Sequence, residues 1–130
     1  MVNRYWLNKW AIVETNQCNI CNEGIDNILH VYWNCRLTRL FWSRFKDWCE
    51  PKLGSIELNI ETVFLGPDDL LLCCLILIGK RYIYGKCFKD EQPDFATFLV
   101  YVNRVRDTEL YLAKVNNTVE EFMRKWGNIL

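Results

Sequence analysis

The sequence predicts a mainly α-helical protein, in which a small Cys-Cys-His-Cys knuckle precedes a compact bundle of about four helices. Three observations carry this. Cys18, Cys21, His30 and Cys35 crowd into the first third of the chain at metal-ligand spacing. Apolar residues then recur at helical intervals, and Pro51, Pro93 and the Asn116–Asn117 pair punctuate them as breaks. At 130 residues, the chain is long enough to bury one real core and too short for two full-sized domains.

The expected organisation is residues 1–50 for the knuckle and the helix after it, 51–68 for a connector, and 69–130 for a C-terminal helical part, all packed as one domain. In the first stretch Leu37, Leu40, Phe41, Phe45 and Trp48 mark an amphipathic helix that Pro51 should stop. In the connector, one helical turn fits Ile60 to Leu65. Helices then follow from Asp69 to about Phe88, from Asp94 to about Val115 and from Val119 to Trp126. Thr118 and Glu121 suit a capping box for the last of them, and Gly127 suits its close. The most apolar run, Leu70 to Ile78, is far shorter than the roughly 20 residues of a membrane span and reads as a buried helix.

Composition excludes some function classes. A 51% hydrophobic and 15% aromatic content is that of a folded chain. Sixteen basic and sixteen acidic side chains cancel, so no global field draws the protein to a polyanion, and nucleic-acid contact must come from local patches. Seven cysteines make an odd count, and the opening MVNRYWLNKW lacks an apolar signal core. A reducing, intracellular setting is the expectation.

The knuckle spacing is C-x2-C-x8-H-x4-C. A tight turn aims Cys18 and Cys21 at one point, and His30 with Cys35 completes a tetrahedron suited to Zn2+. Gly24 relaxes the backbone after the turn, and Asp26 can cap a short helix carrying Leu29, His30 and Trp33. Four protein ligands leave no place for water or substrate, so the site is structural rather than catalytic. The competing reading makes His30 a surface residue and the cysteines small apolar core residues. Economy favours the metal, because the only histidine of the chain falls between the cysteine pair and a further cysteine. Cys49, Cys73, Cys74 and Cys87 have no such arrangement and read as core thiols.

Around these ligands, LNKWAIVETNQCNIC, DNILHVYWNC, RLFW, LILIGKRYIYGKC with a following proline, and FMRKWGNIL run nearly end to end. In this combination the chain resembles the C-terminal zinc-binding segment of non-long-terminal-repeat (LINE-type) retrotransposon reverse transcriptases. The resemblance implies a segment that holds element RNA or nicked target DNA while cDNA is primed. It also implies a polymerase body as a neighbour. No polymerase activity is expected of this chain itself, because its paired aspartates, Asp68 and Asp69, follow Gly-Pro and precede three leucines, where they suit a helix cap.

Two stretches combine cations for phosphates with aromatic faces for bases, as single-stranded RNA or DNA requires. One is Arg36, Arg39, Arg44 and Lys46 around Trp42; the other is Lys80, Arg81, Lys86 and Lys89 among Tyr82, Tyr84 and Phe88. The same charges suit a solvated helix face, and the same aromatics suit a core. A zinc-stapled protein-interaction module, for which six tryptophans are apt, and an inert retroelement remnant are the other readings. Ser43, Ser55 and Cys49 lack a nucleophile motif, so enzyme chemistry has no visible seat.

Overall fold

The computed structural model describes Lys9 and residues 17–18, 20–25, 27–89 and 91–129. Among them there are five α-helices and no strands, only an isolated antiparallel bridge between Gln17 and Ile25. A π-helical turn, His30–Asn34, leads into α1 (Arg36–Leu53). There follow α2 (Ile60–Leu65), α3 (Leu70–Phe88), α4 (Phe95–Asn116), α5 (Val119–Trp126) and a closing 3-10 turn, Gly127–Ile129. No described helix is long and apolar enough to cross a membrane.

Local chemistry explains most boundaries. Asn59 and Thr62 form a reciprocal cap for α2: the Thr62 N–H donates to Asn59 Oδ1 at 3.0 Å, and the Asn59 N–H donates to Thr62 Oγ1 at 2.9 Å. Asp69 caps α3, as its position suggested, by accepting the Leu72 N–H at 2.7 Å. The hydroxyl of Tyr82 clamps the start of α4, accepting from the Asp94 N–H at 2.8 Å and donating to the Asp94 carbonyl at 2.9 Å.

Two expectations are corrected. Pro51 does not stop α1, which continues to Leu53 and closes at Gly54, whose φ of +82° lies in the left-handed region. In the last turn a proline removes one bond from a ladder that is already ending, so the helix tolerates it. Thr118 makes no side-chain cap for α5. It is committed to closing α4 instead: Asn117 turns left-handed at φ +58°, and the Thr118 N–H reaches the Ala113 carbonyl at 2.8 Å.

The core is an aromatic stack between α1, α3, α4 and α5. Thr38, Phe41, Trp42, Phe45 and Cys49 are the buried face of α1. Phe41 meets Phe98 edge-on at 5.1 Å and stacks on Tyr82 at 5.9 Å, while Trp42 meets Phe45 at 5.3 Å. Phe122 and Trp126 of α5, stacked on each other at 6.3 Å, belong to the same buried cluster. Val31 from the π-turn and Val63 from α2 join the same cluster.

Candidate metal centre

The Cys18–Cys21 turn is built by two left-handed residues. Asn22, at φ +57°, lets its N–H reach the Cys18 carbonyl at 3.0 Å, and Gly24, at φ +67°, brings its own carbonyl to the Cys18 N–H at 3.2 Å. A Cβ on Gly24 would stand 3.1 Å from the ring atoms Cε1 and Nδ1 of His30, so glycine serves both the backbone and the histidine. Asp26, expected to cap the next turn, lies outside the described residues. Asn27 takes that part: its Oδ1 accepts the His30 N–H at 2.9 Å.

These turns bring Cys18, Cys21, His30 and Cys35 together, all four buried, with one ligand atom from each within 4.8 Å of the others. His30 Nε2 faces Cys21 Sγ at 3.3 Å. The Glu23 N–H points at Cys21 Sγ from 3.4 Å, a contact that eases negative charge on sulfur. The Cys18 and Cys35 thiols share a hydrogen bond, which raises Cys18 and lowers Cys35. The Cys35 thiolate is helped by the backbone N–H groups of Thr38 and Leu37 at the start of α1. Three sulfurs and one imidazole suit a borderline-soft ion, and a cation would relieve the repulsion that keeps neighbouring thiols from ionising together. The residues present therefore fit a metal ion.

The π-turn fastens this cluster to the bundle. Its i→i+5 bond, Cys35 N–H to His30 carbonyl at 2.8 Å, leaves the Val31 and Tyr32 carbonyls outside the ladder. Side chains one turn apart on α1 satisfy them: Thr38 Oγ1 donates to Val31 at 2.8 Å, and Trp42 Nε1 donates to Tyr32 at 2.8 Å. Trp42 is thus 2% exposed, and it offers no face to a base. This corrects its place among the nucleic-acid contacts. The accessible aromatic near the first stretch is Trp33, half-buried, with the Arg39 guanidinium 5.0 Å above its ring. In the sequence Trp33 reads only as part of the short helix, and the H-x2-W spacing beside His30 is the signal of its place.

Arg36, Arg39, Arg44 and Lys46 are exposed on α1, and no carboxylate interrupts that helix before Asp47. The second stretch divides. Lys80 turns inward, donating to the Val63 carbonyl at 3.0 Å between the rings of Tyr32 and Phe64, and Tyr82 is buried. Arg81 remains exposed. Among the other cysteines, Cys49 is fully buried and Cys73, Cys74 and Cys87 are partly so.

No family model, no curated protein and no solved structure matches the chain. Fold and site define its class: a helical protein with a buried Cys3His cluster able to hold a metal ion.

Proposed function

We propose that the chain is a zinc-binding, nucleic-acid-binding module resembling the C-terminal part of a LINE-type reverse transcriptase, without polymerase or endonuclease activity of its own. The observation that carries this reading is the convergence of Cys18, Cys21, His30 and Cys35 immediately before a helix whose charged residues through Lys46, all of them exposed, are basic. For zinc, bonds of about 2.3 Å to sulfur and about 2.0 Å to nitrogen fit a tetrahedron of this donor set. Three thiolates and a neutral imidazole give such a centre one net negative charge. Arg36 and Arg39, unfavourable in the first turn of a helix by its dipole, then have an anion beside them. Arg44 and Lys46 extend the basic face beyond what the centre needs, and Trp33 under Arg39 supplies a ring. The thiolate cluster also argues for a reducing, intracellular setting.

Fluorescence anisotropy with single-stranded RNA and DNA tests the reading. Affinity should fall with salt, with a logarithmic slope near −3 if all four cations meet phosphate, at about −0.7 per contact. Replacing Arg36, Arg39, Arg44 and Lys46 by Gln should remove most of that slope. Binding that ignores salt, or its absence, refutes it.

One observation favours a second reading, a zinc-stapled docking module set against a polymerase body. Leu65, Leu70 and Phe88 are strongly exposed, at 84%, 70% and 74%. Self-association together with indifference to oligonucleotides would select it.

A further inference from the structure

A groove of about 510 Å³ runs between α3 and α4, away from the metal cluster. That volume lies within the range of small-molecule sites, about 300–1,000 Å³. Its floor and far wall are apolar: Leu77, Ile78 and Tyr82 from α3, Tyr101 and Val105 from α4. Among the described residues its charged lining is of one sign, Arg81, Lys86 and Lys89. Lys86 is partly engaged, bonded to Glu91 at 2.8 Å. Arg81, midway along the groove, has no ion-pair partner among the described residues.

A second observation concerns Gly85, which lines the same groove. A glycine inside a helix costs about 1 kcal/mol relative to alanine, so it calls for a reason. Gly79 on the same helix has one, since a Cβ there would stand 3.0 Å from the Trp42 ring. At Gly85 a Cβ would meet nothing within 4 Å, and its backbone is not left-handed. Neither protein packing nor conformation asks for this glycine. What it does is keep the groove open down to the helix backbone, between Arg81 and Lys89 on the ridge of every fourth residue that starts at Leu77.

We propose that this groove binds a small anionic amphiphile, an alkyl or aromatic body laid along Leu77, Gly85 and Tyr101 with its acid group at Arg81. The apolar floor buries the body, the guanidinium takes the acid in a forked pair, and the unpaired charge of Arg81 disfavours cationic analogues.

The test uses decanoate as probe on the full chain labelled with nitrogen-15. Saturable amide shifts confined to residues 77–89 and 101–105 are expected, with little response to decyltrimethylammonium. Gly85→Leu should fill the groove and weaken decanoate by about ten-fold or more without lowering Tm, a loss of about 1.4 kcal/mol. Arg81→Gln should weaken decanoate several-fold and leave decanol unchanged. Equal binding of the cationic amphiphile, shifts scattered over the molecule, or a Gly85→Leu protein that binds as before would overturn the proposal. So would a short oligodeoxythymidylate that displaces decanoate from these amides, which would assign the groove to nucleic acid. Binding through Arg36, Arg39, Arg44 and Lys46 is measured separately, so either idea can fail alone.

Discussion

The indole N–H of Trp42 is held by the carbonyl of Tyr32 at 2.8 Å, which makes a core tryptophan a direct partner of the turn that carries His30. Trp42→Phe keeps most of the packing but leaves that carbonyl without its donor, a loss of about 1–3 kcal/mol. Trp42→Ala adds a cavity and should cost about 3–5 kcal/mol. Denaturant unfolding of the two variants separates these contributions, and metal affinity should fall along with stability.

Gly79 lies under the same ring. Alanine there forces a Cβ to 3.0 Å from Trp42, so Gly79→Ala should destabilise by about 1–3 kcal/mol despite its better helix propensity. Gly85→Ala, into open space, should stabilise by up to about 1 kcal/mol. Thermal melts of the pair should therefore move in opposite directions.

Elemental analysis should find about one zinc per chain, as a single four-ligand cluster requires. Cys35→Ser should lose or weaken it, and a strong chelator should lower the Tm of the wild type towards that of the variant. Gly24→Ala should weaken zinc with all ligands intact, because its φ of +67° costs a non-glycine residue about 1–2 kcal/mol and its Cβ would press on His30. A metal-free wild type that is fully folded would refute the site.

Burial pushes the Cys49 thiol up to about 12. Folding favours the protonated form, so this contribution is complete below the ordinary thiol value of 9.0 and is lost as pH rises through 12. Cys49→Ala should melt lower at neutral pH because of its cavity, yet lose less further stability than the wild type over that alkaline window. Thiol labelling at neutral pH should spare Cys49 until the protein unfolds.

Much of this was legible in the residues. Ile60–Leu65 and Val119–Trp126 lie where breaks and apolar spacing put them, and Asp69 caps its helix as its position suggested. The clustering of Cys18, Cys21, His30 and Cys35 was legible because a site able to hold a metal ion constrains residue type and spacing together. The role of Trp42 was not, since a tryptophan at helical spacing serves a core or a surface equally well until its neighbours are known. Thr118 misled because the hydroxyl pattern of a capping box does not reveal that the preceding helix claims the same backbone. The groove at Gly85 depends on how two helices lie side by side, which no local pattern records.

The wide turn from His30 to Cys35 also acts as a rotational gauge. Its hydrogen bond joins residues five apart, one more than in an α-helix, and each residue added to or removed from a helical path rotates everything beyond it. Removing one residue between the two ligands would keep all four donors yet swing Cys35 and α1 round relative to His30. The centre therefore measures chain length as well as chemistry: its tolerance of substitution at Tyr32 to Asn34 should greatly exceed its tolerance of insertion or deletion there.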